Sequence, residues 1–381
     1  MQGIELCRRF YEAYGAPMLH EQFPQFEEII AVGLVGAGSE CFGYDDEVSR
    51  DHDFEPAFCL FLPDEEVIDR RSAFLLERAY AKLPQEYGGV PRLRVSPVGG
   101  NRHGVLRMED FFREKIGHTG KITALMDWFS VPEQGLAEAT NGVVFRDDVG
   151  LFTSIRKALH YFPPDVRKKK LAGRLLLMAQ SGQYNYSRCL AHREPAAAQL
   201  AVTEFVRHTL AAIFLLNERY LPYYKWQFRA LRELPCLSEL AQPLEFLLTT
   251  GNDEPLAAQK AARIEEIAFR TITALQEQGL TQATCGDLEK HAYSVNDQIT
   301  DSNLRNAHIL FATEKKNTTR HNRVVFFYSS VGLDMSPPCK NSRRRARRLG
   351  VPVQELPNTY KERKQIATSF LSSQSTHESA P

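Results

Sequence analysis

Two short segments carry residue types and spacings that could do chemistry: Gly36-Ala37-Gly38-Ser39 and Asp51-His52-Asp53, with residues 40–50 between them. Glycines let backbone N–H groups approach a phosphate closely, and a neighbouring hydroxyl adds a donor. In an extended segment, residues two apart point the same way with Cα atoms about 6.5 Å apart. Asp51 and Asp53 so placed can converge on one octahedral cation such as Mg2+, at ligand distances of about 2.0–2.1 Å. Magnesium held there would bridge the carboxylates to a nucleoside triphosphate and neutralise charge as a phosphoryl group moves. Either segment alone is weak, because tight glycine turns follow many buried strands and an acidic pair is often a solvated, capped loop. Together, between two apolar runs, they point to metal-assisted phosphoryl chemistry.

Elements that position these segments can be read around them. Residues 29–35 (IIAVGLV) and 57–62 (AFCLFL) are continuous apolar runs of buried-strand type. Pro56 calls for an irregular or edge position at the start of the second. Residues 3–14 and 64–83 carry helical periodicity. Residues 92–96, 104–108 and 142–145 are short strand candidates set apart by Gly-Gly, Pro and Asn-Gly signals. Beyond residue 150 the pattern turns helical, over residues 166–180, 196–217, 224–234, 237–248, 254–278 and 286–299. This order implies an α+β fold: an N-terminal mixed sheet with flanking helices, then a C-terminal helical bundle. The expected domains are 1–150, 151–312 and a basic, disordered tail over 313–381.

The Gly38-Ser39 and Asp51-x-Asp53 pattern resembles the DNA polymerase beta-type nucleotidyltransferase superfamily. Its signature is a hydrophobic residue, Gly, Gly or Ser, a gap, and Asp-x-Asp or Asp-x-Glu on the next strand. Within that superfamily three features are similar to an uncharacterised bacterial domain family over roughly residues 20–310. They are GSECFGYDDE with SRDHD, the stretch 141–150, and Gln183-Tyr184-Asn185 followed by Arg188 and Arg193. The resemblance implies a small mixed sheet followed by a helical domain, as in kanamycin- and streptomycin-modifying nucleotidyltransferases, with substrate between the halves. It implies transfer of a nucleoside monophosphate from a triphosphate, ATP first, to an acceptor hydroxyl. Asp51 and Asp53 then bind Mg2+ and act in catalysis, while Gly38 and Ser39 hold the phosphates. Glu109 is the candidate third carboxylate or base, because alternation over 104–109 sets Arg107 and Glu109 opposite Leu106 and Met108. Arg188 and Lys225 are secondary nucleotide-binding candidates. The alternative is a catalytically inactive nucleotide-sensing module, or an RNA- or protein-binding one, on the same fold.

Composition narrows the remaining classes. The 47 basic and 47 acidic residues cancel, so no overall field draws in nucleic acid or anionic lipid. Seven cysteines, odd in number and scattered without a Cys-x-x-Cys pair, suit a reducing compartment and exclude a zinc ribbon. The N-terminal segment is interrupted by Glu5, Arg8, Arg9 and Glu12, so a cytoplasmic protein with no membrane partner is expected. The arginine run within 341–349 offers phosphate contacts but no interleaved aromatics, which leaves nucleic acid open and not indicated.

Overall fold

The two apolar runs meet at the centre of a mixed sheet. In the computed structural model, which describes residues 2–48, 54–92 and 102–313, β1 (Ala31–Leu34) pairs antiparallel with β2 (Cys59–Leu62). Ala31 faces Phe61 and Gly33 faces Cys59. A separate hairpin is formed by β3 (Glu86–Tyr87) and β4 (Val90–Pro91). β5 (Gly104–Arg107) then lies parallel beside β2, and β6 (Val143–Arg146) antiparallel beside β1, for the order β5-β2-β1-β6. Gly33 is needed here for close approach, since a Cβ would lie 2.6 Å from the Val143 carbonyl oxygen. β2 starts three residues after Pro56, so the irregularity expected at that proline is a late strand start.

Side-chain alternation sends the two sheet faces into different clusters. Val32, Leu60 and Leu62 pack with one cluster. It includes residues of α1 (Gly3–Phe10), α2 (Ala16–Gln22) and α3 (Arg70–Ala81). A π-helical turn, Tyr11–Gly15, joins the first two helices. Ala31, Cys59 and Phe61 face the other way, onto α4 (Met108–Ile116), α5 (Glu133–Thr140) and α6 (Leu151–Ala158). Phe61 stacks on Phe152 with ring centroids 4.0 Å apart.

That second cluster continues past residue 150 into the helices of the C-terminal part. These are α7 (Pro164–Met178), α8 (Ser187–Ala191), α9 (Pro195–Leu216), α10 (Gln227–Arg232) and α11 (Ala241–Thr249). They are followed by α12 (Leu256–Glu277), α13 (Leu288–Asp297) and α14 (Ser302–Asn306). α9 is long and apolar enough by length and composition to cross a membrane, but it packs as the core helix against α7 and α11. Each fully buried Leu, Ile or Phe on it contributes about 1.5–3 kcal/mol. The fold is thus α+β, with helices concentrated after the sheet. The 92–96 strand candidate beyond Arg92, the Asp51-His52-Asp53 segment and the tail from residue 314 lie outside the described residues.

One local expectation is corrected. The strand 104–108 stops at Arg107, and the chain enters α4 at Met108 without a break. Glu109 and Asp110 sit in the first turn of that helix, where carboxylates are favoured by the exposed N–H groups and the dipole. The alternation that placed Glu109 on a strand face therefore does not reach it.

Candidate functional site

β1 delivers the chain into a turn that requires glycine. Gly36 takes φ +135°, a conformation that residues with a Cβ rarely adopt. A distant residue fixes this turn. Gly36 N–H donates to Asn141 Oδ1 at 3.0 Å, and Asn141 Nδ2 donates to the Gly36 carbonyl at 2.7 Å. Gly142 N–H donates to the Cys41 carbonyl at 2.9 Å, so residues 36–41 are held at both ends by the α5–β6 corner. That corner is itself supported by Arg156, whose Nη2 donates to the carbonyls of Thr140 and Asn141. Burial pulls the Arg156 pKa down, and its Nε is buried without a hydrogen-bond partner among the described residues.

After the turn, Ser39 leads into a short 3-10 turn, Glu40–Phe42, closed by Gly43 at φ +71°. The Glu40 carboxylate folds back on Gly38 so closely that a Cβ at residue 38 would overlap it. Ser39 Oγ donates to Glu40 Oε2 at 3.5 Å, which is a long hydrogen bond. Glu40 is 7% exposed. Burial raises its carboxyl pKa, opposed by a backbone hydrogen bond and by His103 and Arg102.

Gly36, Gly38, Glu40, Arg102, His103 and Lys115 line a cavity of about 180 Å³. Asp110 and Glu114 of α4 line it too, so its walls carry both basic and carboxylate groups. Lys115 pairs with Glu138 at 3.1 Å and Glu114 at 3.2 Å. Burial draws the Lys115 pKa down, but these carboxylates more than offset it and the net direction is up. His103 Nδ1 lies 3.1 Å from Glu55 Oε1, with side chains 12% and 17% exposed.

The next stretch of the same loop lines a second, larger cavity of about 340 Å³, together with Asn141, Phe214, Tyr220 and Glu233. Its loop members are Phe42 and Tyr44, whose rings stack 6.1 Å apart. Tyr44 is held from the helical part: its hydroxyl donates to Glu233 Oε2 at 3.3 Å, and Arg229 Nη1 donates to its carbonyl at 2.7 Å. Burial and the Glu233 carboxylate push the Tyr44 phenol up to about 12, so it stays a neutral donor.

The structure brings some of the expected site residues together and separates others. Gly38 lines the smaller cavity, and Ser39 adjoins it through Glu40. Asp51 and Asp53 lie outside the described residues, and among those described no group of three or more His, Cys, Asp or Glu is arranged to hold a metal. Glu109 is exposed, 3.5 Å from Arg113, and lines neither cavity. Arg188 sits exposed on α8 over the Tyr184 ring at 5.0 Å, also away from both cavity linings. Lys225 lies exposed over Trp226 at 4.9 Å, and Trp226 in turn touches Tyr44 at 5.4 Å. Lys225 thus stands behind the wall of the larger cavity. Sequence reasoning missed Glu40, Arg102, His103, Lys115 and the role of Asn141. The Asn-Gly pair was legible only as a turn signal.

Comparison with known proteins gives one match. Residues 128–227 match a family described as a domain of unknown function (DUF4037), which covers about a quarter of the chain. No curated protein and no solved structure matches. The matched stretch contains Asn141, Arg156, Arg188 and Lys225, and it excludes the glycine turn.

Proposed function

We propose that the protein is a magnesium-dependent nucleotidyltransferase that moves a nucleoside monophosphate, from ATP in the first instance, to an acceptor hydroxyl. One observation carries the reading: a glycine turn leaves a central strand, is pinned by Asn141, and lines a small cavity shared with Arg102 and Lys115. Backbone amides beside cationic side chains suit a triphosphate. β2, the antiparallel neighbour of that strand, begins at Cys59, six residues after Asp53, so the Asp51-x-Asp53 segment precedes the strand on which the superfamily signature sets it. The acceptor would approach through the larger cavity beside Phe42 and Tyr44, with its hydroxyl reaching the α-phosphorus in the smaller one.

In the reaction an acceptor oxygen bonds to the α-phosphorus, the bridge to the β-phosphate breaks, and pyrophosphate leaves. Magnesium, when held by Asp51 and Asp53, would supply neutralisation of the phosphate charge. Gly38 and Ser39 orient the phosphates, and Lys225 supports the acceptor wall through Trp226 and Tyr44. Glu109 takes no part in this reading. A second reading is a nucleotide-sensing module without catalysis; in either reading the Glu40 carboxylate against Gly38 repels phosphate oxygens unless a cation or a proton offsets it.

The test is incubation with each α-labelled nucleoside triphosphate, magnesium and cell extract. The wild type is expected to label an acceptor, and Asp53→Asn to lose labelling with an unchanged melting curve. Persistent transfer by that variant would remove Asp53 from its role. Nucleotide binding without any transfer by the wild type would select the sensing module.

A further inference from the structure

Resting on that reading, the geometry points to His103 as the general base for the acceptor hydroxyl, oriented by Glu55. Sheet topology puts it at the right end. β1 runs antiparallel to β2, with Gly33 opposite Cys59, so β1 leaves the sheet where β2 enters it. β5 is parallel to β2 with Gly104 opposite Cys59, so His103, one residue earlier, enters at that same end. The glycine turn, Glu55 and His103 therefore gather at one end of the strands, and His103 shares a cavity with Gly36 and Gly38.

The pair has the form of a base held by an orienting carboxylate. Nδ1 lies 3.1 Å from Glu55 Oε1. With Nδ1–H donating to that carboxylate, the lone pair is on Nε2 and can take a proton. Among the described residues the charged groups that line the cavity are Glu40, Arg102, Asp110, Glu114 and Lys115, with Glu55 paired to His103. None of the carboxylates on α4 has a comparable orienting partner: Asp110 and Glu114 are paired with Arg113 and Lys115. In the step, the acceptor O–H bond breaks and the proton passes to His103 Nε2. The oxygen pair forms the bond to the α-phosphorus, and the pyrophosphate oxygen leaves with the electrons of the broken bridge. Water then takes the proton from the imidazolium.

A purely structural tether between residues 55 and 103 would predict something different, and three variants separate the two. His103→Ala, His103→Gln and Glu55→Gln would be compared with the wild-type full chain, with affinity for magnesium-ATP measured by calorimetry and labelling measured from α-labelled ATP in cell extract. We expect ATP affinity within about threefold of wild type, and labelling reduced by roughly 10²–10⁴ in both His103 variants, the usual range for a lost general base. Added imidazole should restore part of the rate in His103→Ala only, and Glu55→Gln should fall by a smaller factor. Wild-type labelling by His103→Ala overturns the assignment, as does a loss of ATP affinity in step with labelling and no rescue by imidazole. A wild type that binds ATP but transfers nothing also overturns the base while leaving nucleotide binding intact. A wild type that binds no ATP removes instead the reading beneath it.

Discussion

Charge is buried in two regions of this protein, and the two treat it differently. In the helical part, Lys169 and Lys260 are fully enclosed. Lys169 donates to Asn296 Oδ1 at 2.8 Å and to the carbonyls of Ala307 at 2.6 Å and Arg305 at 3.4 Å. Lys260 donates to the Thr250 carbonyl, Gln199 Oε1 and Asn252 Oδ1 within 3.3 Å. Each ammonium thus meets three oxygens, one for every proton it carries. Beside the glycine turn, Glu40 is buried as well, but its side-chain partner among the described residues is a Ser39 hydroxyl at 3.5 Å, and it faces a cavity. A buried charge with a full set of partners organises structure. One with fewer partners that faces a cavity is where the proposed reading puts a ligand.

The largest effect expected from this contrast is on stability. Lys169→Met keeps the volume and removes the donors, which leaves the Asn296, Arg305 and Ala307 oxygens to face an apolar group. A loss on the order of 3 kcal/mol is expected from several unsatisfied buried acceptors, read as a lower urea midpoint at unchanged slope. Affinity of the folded fraction for magnesium-ATP should not move. A near-neutral change in the midpoint would break the claim that the helical part uses this lysine as scaffold.

Asn141 lies between the two regimes, since its side chain is bonded through both its oxygen and its nitrogen and its partner is the glycine turn. Asn141→Ala removes two hydrogen bonds to Gly36, at an expected loss of about 2 kcal/mol in the same unfolding experiment. Unlike the lysine variant it should also weaken ATP binding, because the turn loses the clamp that sets its φ. Stability lost with affinity unchanged would make Asn141 a scaffold residue like Lys169.

This division explains what was legible in the sequence. The central strands could be read because IIAVGLV and AFCLFL are apolar without interruption, as strands covered on both faces must be. α9 could be read from its periodicity. α4 could not: it follows β5 with no turn residue between them, and its own signals, acidic residues in the first turn and Gly117 at the end, are shorter-range than the alternation that ran into it. In the site, the glycines announced themselves through backbone conformation, which is a local property. Asn141 acts on a residue 105 positions away, and His103 meets Glu55 only because β5 docks beside β2. Pairings made by sheet order leave no spacing in the chain.

The smallest effect is the sharpest test of the contrast, because its sign is opposite. Burial holds the Glu40 carboxyl pKa in the folded protein above its unfolded value. Between those two values the folded state binds the extra proton, so stability falls as pH rises from the ordinary glutamate range through the raised one. Above that window the penalty is constant. Glu40→Gln keeps the shape and carries no titrating group. It should match wild type in acid, gain on it through the window, and end more stable near neutral pH. Urea unfolding of both proteins from about pH 4 to about pH 8 reads the difference directly. A difference that does not vary with pH, or a variant less stable than wild type at neutrality, would mean that the carboxylate is as well accommodated as the two lysines. A variant that is more stable but poorer at nucleotide transfer would show that the charge is retained at the turn for its effect on the ligand, against the interest of the fold.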